Sequence, residues 1–267
     1  RYLAREAIYY RTVTPGATVG QHMQVYRLRQ YDVPIGVSSS GISVRFLCFQ
    51  TTLLVLGAIL WIANGSYVQQ QLGSKQWLVV LGYVINFFSI GMVLMVAVSQ
   101  RIVSAIVAFC IRVGTKLRIC KDPQRAAEKW QAHLTSFHDS VAMIRKHPKE
   151  ILMQCLIAAV QIVAQMCVVV MTYHAFGLTG TSLSHLLTLG TLLYISASYV
   201  PLPGASGAQE GGFSLYFAGV FPDAQLFVAL LVWRFCTYYL PILLGVVMVA
   251  VESVRGLSVK GEDELHT

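Results

Sequence analysis

Hydrophobic positions in this 267-residue chain come in long uncharged blocks, not in alternation with polar ones. A helix that crosses a bilayer needs about 20 mostly apolar residues. Ile42 to Asn64 meets that length, with Arg45 near its start, and so does the uncharged run from Trp77 to Ser99. Ile151 to Phe176 and Ala224 to Val251 predict two further spans. Polar or turn-forming stretches separate them: the Ser/Gly-rich Tyr31 to Gly41, the short link Gly65 to Gln76, and the uncharged link Gly177 to Ser184. Arg101 to Leu117 is shorter and broken by Arg112, so it reads either as a half-helix or as the second span running on into the interface. The pattern predicts an all-α polytopic membrane protein.

One hydrophobic region departs from it. Leu183 to Val200 and Phe213 to Phe221 are each short for a span, and between them lies Pro201-Leu202-Pro203-Gly204-Ala205-Ser206-Gly207-Ala208-Gln209-Glu210-Gly211-Gly212. Two prolines and four glycines stop a helix here, and a carboxylate sits inside the break. Non-helical backbone at membrane depth persists only where protein or a water-filled cavity satisfies its amides. Residues 183–221 are therefore expected to form a re-entrant hairpin around a polar site. Near the other end, Thr14-Pro15-Gly16-Ala17-Thr18-Val19-Gly20-Gln21 aligns with Leu202 to Gln209, sharing Pro, Gly, Ala and Gln in register. Two such broken segments suggest an internal repeat, although Pro-Gly turns also resemble one another by composition alone.

Composition supports a membrane protein: 55% of residues are hydrophobic and 12% charged, about half the charged share of soluble domains. The net charge of +8 is concentrated, with nine of the 20 Lys and Arg between Arg112 and Lys149 and six between Arg1 and Arg45. No nucleic-acid-binding module accompanies that charge, so nucleic acid is not an expected partner. The positive-inside tendency places the 114–149 loop in the cytoplasm and the poorly charged links at 65–76 and 177–184 outside. Within the loop, Trp130, Leu134, Phe137, Val141 and Ile144 form one apolar helical stripe flanked by Arg125, Lys129, Arg145 and Lys146. That stripe reads as an amphipathic helix on the inner membrane surface, or as a lipid-headgroup contact. The six cysteines include no CxxC pair and read as small apolar side chains, with no disulfide framework. No metal site, cofactor site or catalytic constellation is predicted. His133 and His138 read as surface residues.

The expected chemistry lies in two ionisable residues inside apolar surroundings. Glu210 is in the break and Arg234 is within the last span. Each costs about 2.5–3.5 kcal/mol at mid-bilayer, so each needs a partner or water. They either lock together as a structural pair or divide a lipid headgroup, with the arginine fork on phosphate and the carboxylate on an ammonium. A helix starting near Gly211 would favour an anion at the break. Asn86 reads as an interhelical hydrogen-bonding group; Gln161 and Gln165 share one helical face that either packs or lines a path.

The stretch Pro201 to Phe213 resembles the signature of the flippase-like transmembrane domain of lysylphosphatidylglycerol synthases, the membrane half of the multiple peptide resistance factor and its stand-alone relatives. Thr14-Pro15 through Gln21, then Met23-Gln24-Val25-Tyr26, resembles the family's first motif, with Val19-Gly20-Gln21-His22 where the family usually reads Gly-Gly-Gln-Pro. Lys121-Asp122-Pro123, Phe176-Gly177-Leu178, and Arg234 with Tyr238-Tyr239 also fit, so the likeness covers essentially the whole chain. The resemblance implies a bacterial plasma-membrane protein that moves an aminoacylated or anionic phospholipid between leaflets and contributes to resistance against cationic peptides. With the motifs it covers, lipid contact is expected at Pro15, Gly16, Gly20, Gln21, Pro201, Pro203, Gly204, Gly207, Glu210, Arg234 and Tyr238, and, from its helical face, at Gln161. The start at Arg1 reads as a piece lacking about two upstream helices, and the short tail after Val251 as lacking the soluble transferase domain.

Two other functions stay open on the sequence. One is a phosphatidylglycerol lysyltransferase drawing on lysyl-tRNA, as the family name suggests; the lack of a soluble domain weighs against it. The other is a non-transporting partner of a separate synthase. A homo-oligomer is compatible with all three.

Overall fold

A computed structural model describes residues 35–98, 104–105, 139, 141–142, 146–198, 200 and 202–247. Its main elements are α1 (Ile35–Ala63), α2 (Gly65–Leu72), a 3-10 turn at Gly73–Gln76, α3 (Trp77–Val98), α4 (Pro148–Ala175) and α5 (Leu183–Ala197). A second 3-10 turn, Pro203–Ala205, leads into α6 (Ala208–Tyr216) and α7 (Asp223–Arg234), and a π-helical turn at Phe235–Tyr239 continues α7. Among the described residues there is no strand; one isolated bridge joins Ala218 and Phe221.

Among the described residues, four helical stretches are long and apolar enough to cross a membrane: Val37–Ala63, Gly65–Met95, Pro148–Ala175 and Asp223–Val247. Large apolar side chains on them point outward, including Ile62 at 83% exposure and Phe88 at 73%. Water would oppose such a surface, and lipid accepts it. The chain is thus an all-α, multi-pass membrane protein, as its hydrophobic pattern predicts. At about 1.5 Å per residue, α5 is about 22 Å long and α6 about 13 Å, both short of a bilayer core of about 30 Å.

Boundaries differ from expectation in two places. Tyr31 to Gly41 was expected to be a turn, yet the chain is helical from Ile35. Ser40 Oγ donates to the Val37 carbonyl at 2.8 Å, so a serine that suits a turn is satisfied within the helix. The link Gly65 to Gln76 is likewise helical over Gly65–Leu72, because Val68 and Leu72 are buried on one of its faces. Most of the 114–149 loop, its predicted amphipathic stripe except Val141, and the first Pro-Gly motif lie outside the described residues.

The contacts divide into two compact units. In one, formed by Val25–Ile59 and Val80–Val163, Tyr83 Oη donates to the Leu54 carbonyl at 3.2 Å and Cys48 Sγ lies 4.0 Å from the Ile151 carbonyl. Asn86, fully buried, donates to the Gly82 carbonyl one turn back in its own helix at 2.6 Å.

The other unit contains Leu60–Val79 and the chain from Ala164 onward. Its centre is α5, with Leu186, Leu189, Leu192 and Ile195 fully buried. Thr188, Thr191 and Ser196 satisfy their hydroxyls on carbonyls four residues back in the same helix. Helix α6 folds back along α5: a Cβ on Gly212 would strike Leu193, and Ser196 Oγ meets Tyr216 Oη at 2.5 Å. Phe213 joins the hairpin to α7 by stacking on Trp233 at 4.9 Å, and Phe217, Phe221 and Tyr173 extend this aromatic core.

Candidate functional site

The break between α5 and α6 is held by left-handed backbone. Gly204, Ala205 and Gly207 have φ of 62°, 51° and 86°. Gly204 has a second constraint: a Cβ there would overlap the Tyr238 ring. These angles turn the chain sharply enough to aim backbone groups at a side chain from α7.

That side chain is Arg234. It sits about 16 Å along the axis from Asp223, near the middle of the Asp223–Val247 span. Its side chain is only 7% exposed. Nη2 donates to the Gly204 carbonyl at 2.7 Å and to Ser206 Oγ at 3.3 Å. The guanidinium carbon lies 4.6 Å from the centre of the Tyr238 ring, a cation–π distance. Nε approaches Glu210 Oε1 to 2.6 Å, yet Nε makes no aligned hydrogen bond. The Glu210 contact is therefore charge attraction at close range, whereas the hydrogen bond to Gly204 is well formed.

Glu210 is more open, at 31% exposure. Its Oε2 accepts from the Gly207 N–H at 2.5 Å, which ties the carboxylate to the first turn of α6. At the third helical position it also faces the positive end of the helix dipole. Glu210 thus serves two ends at once: it caps α6 through the Gly207 N–H and neutralises Arg234.

The π-helical turn matters to this geometry. The Leu240 N–H bonds the Phe235 carbonyl, five residues back, just before Pro241, which has no N–H to give. The wider turn follows directly on Arg234 and contains Tyr238, so the two residues that grip the break lie at the start of and within a local widening of the helix. π-turns inside helices are frequent at functional sites.

Of the residues expected in the site, the structure brings together Gly204, Gly207, Glu210, Arg234 and Tyr238. Ser206, not among them, is a direct partner of Arg234. Pro203 opens the 3-10 turn. Gln161 is half-buried on α4 and belongs to the other unit. Pro15, Gly16, Gly20, Gln21 and Pro201 lie outside the described residues. Among the described residues, no group of three or more His, Cys, Asp or Glu is placed to hold a metal ion.

The model of the lysylphosphatidylglycerol synthase TM region matches residues 6–245. The chain belongs to that family. No curated protein and no solved structure matches. Within the lysylphosphatidylglycerol synthase membrane region, the Gly204–Glu210 break and the Arg234–Tyr238 turn both fall inside the matched residues. The family assignment thus agrees with the resemblance carried by Pro201 to Phe213.

Proposed function

We propose that this protein moves a polar phospholipid, of the aminoacylated kind, between the leaflets of the membrane. We further propose that the α5–α6 hairpin is re-entrant and that its break is the headgroup station. The observation that carries this reading is Arg234: a buried guanidinium at mid-span, satisfied by one carbonyl, one hydroxyl, one ring face and one carboxylate. Each of those partners is exchangeable. A phosphate can take the bidentate donors that now hold Gly204 and Ser206, and the released Glu210 can accept an ammonium. A lipid carrying both charges would replace an internal ion pair with two external ones, so no charge is left bare at mid-membrane.

The family's name speaks of a synthase, so the test also distinguishes a transferase. Cells making lysyl-phosphatidylglycerol from a separate soluble-domain synthase are given the complete gene, and outer-leaflet lipid is labelled with a membrane-impermeant amine reagent. The expected result is a rise in labelled lipid that Glu210→Gln and Arg234→Ala each abolish. The exchange Glu210→Arg with Arg234→Glu separates a structural pair from a working one. It restores opposite charges, so it recovers folding in part but leaves labelling low, because phosphate and ammonium then meet the wrong partners. Unchanged sidedness in wild type defeats translocation of this lipid. A rise in total lysyl-lipid with no synthase supplied favours the transferase.

A further inference from the structure

Beside Glu210, the break holds a buried polar side chain that the ion pair does not use. Gln209 is the second residue of α6 and is 6% exposed. It shares the buried face of α6 with Phe213 and Tyr216. Phe213 stacks on Trp233 of α7, and Tyr216 Oη meets Ser196 Oγ of α5, so both neighbouring helices enclose this face. Helical side chains lean toward the N-terminus of their helix, so Gln209 covers the end of α6 at which the break lies. Its Oε1 is buried and, among the described residues, accepts no hydrogen bond. A buried acceptor without a donor is costly, and an apolar side chain of the same size would fill the place without that cost.

We infer that Gln209 is a specificity-determining residue of the headgroup station: its Oε1 accepts a hydrogen bond from a primary ammonium whose charge is met by Glu210. This deepens the lipid reading above and rests on it. A protonated primary amine carries three N–H donors. Glu210 Oε2 is tied to the Gly207 N–H, so Oε1, released from Arg234, is the carboxylate oxygen that takes one of them. Gln209 Oε1, one residue earlier in the same helical turn, takes a second. The dipole of α6 opposes a cation at this end, so the charge comes from Glu210 and the neutral amide supplies direction. A quaternary ammonium has the same charge and no N–H. It would balance Glu210 but leave Gln209 Oε1 bare, and a site built to hydrogen-bond one ligand rejects the analogue that lacks the donor. The station therefore selects primary-amine headgroups over choline-like ones of equal charge.

The test uses the full chain in proteoliposomes with two fluorescently tagged lipids: lysyl-phosphatidylglycerol, and the same lipid with both amines trimethylated. The pH is kept low enough to hold the free amines protonated. Movement between leaflets is read by chemical quenching of the outer-leaflet tag. The wild type is expected to move the primary-amine lipid about ten-fold faster than the trimethylated one. Gln209→Met keeps the length of the side chain and removes the acceptor. It should bring the primary-amine rate down to the trimethylated rate and leave the latter unchanged. Its melting temperature in detergent should equal or exceed that of wild type, because no buried acceptor is left bare. Equal rates for the two lipids in wild type overturn the inference, and that measurement needs no variant. A preference that survives in Gln209→Met also overturns it, since size alone then separates the lipids. So does a Gln209→Met protein that melts lower and slows both lipids alike, which makes the residue structural. Wild type that moves neither lipid defeats translocation itself, and this inference falls with it.

Discussion

At the residue scale, the site depends on Gly204 for two separable reasons. Its φ of 62° disfavours any side chain by about 1–2 kcal/mol, and its hydrogen in place of Cβ lets the Tyr238 ring lie flat on the turn. Gly204→Ala is therefore expected to lower thermal stability in detergent, and Tyr238→Ala to relieve the steric part alone. In a double-mutant cycle the pair should couple by about 0.5–3 kcal/mol, with the backbone cost remaining in the double variant. Additive effects would show that ring and turn are independent. Arg234→Lys tests the neighbouring contact. Lysine keeps the charge but lacks the planar fork that reaches Gly204, Ser206 and Glu210 together, and should lose about 1.5–3 kcal/mol. Full stability for Arg234→Lys, measured by denaturation in detergent, would reduce Arg234 to a point charge.

Much of the cluster could be read from residue types. A Pro- and Gly-rich interruption of an apolar run announces a break, and a lone arginine in a span announces a need for a partner. Ser206 and the Gly204 carbonyl could not be read in that way, because they lie 28 and 30 residues from Arg234 in the chain and are brought to it only by the folded hairpin. Charge singles out Glu210 in a sequence, but a carbonyl or a serine hydroxyl looks like every other one.

At the scale of elements, α5 decides how the hairpin sits. Its Gly190 would place a Cβ 3.3 Å from Met166 Sδ and 3.3 Å from Val169 Cγ1, so α5 and the second half of α4 are in close approach there. Small residues at such crossings let helices draw together in lipid, where packing replaces the hydrophobic drive. Gly190→Ala should be tolerated because the methionine end can move aside. Gly190→Leu should separate α5 from α4 and lower the melting temperature clearly more than Gly190→Ala, read by fluorescence-detected unfolding in detergent. Equal melting for the two would show that the crossing has slack. The opposite lesson comes from α2. Gly65–Leu72 carries three glutamines in eight residues and no apolar run, so its sequence gives little helical signal. It forms because Val68 and Leu72 find buried places and Gln71 donates to the carbonyls of Tyr216 and Ala218. Long apolar helices are set by local composition, whereas short polar ones are set by their tertiary partners.

At the scale of the molecule, the remaining issue is which way the chain faces. Within the unit that holds the hairpin, Asn64 bonds Ser184 and Thr188, and Gln71 reaches the Tyr216 carbonyl at 3.2 Å. The turn after α1, the start of α5 and the end of α6 therefore gather at one end of that unit, while the Gly204–Glu210 break lies at the other end of the hairpin. The links there contain one basic residue, Lys75, between Gly65 and Ser184 apart from those in and beside the basic loop. The loop itself carries nine Lys and Arg between Arg112 and Lys149. The positive-inside tendency predicts that the links at this end face out and that the loop faces in. In a background with the six native cysteines replaced by alanine, Ser74→Cys and Gly180→Cys should react with a membrane-impermeant maleimide added to intact cells. Ser136→Cys in the loop should react only after the membrane is opened. If Gly180→Cys is protected and Ser136→Cys reacts from outside, the orientation is reversed. The break then lies toward the opposite leaflet, and the proposed headgroup station would load from outside the cell. Labelling of both loops in intact cells would mean two orientations in the same membrane, which the one-sided concentration of charge argues against.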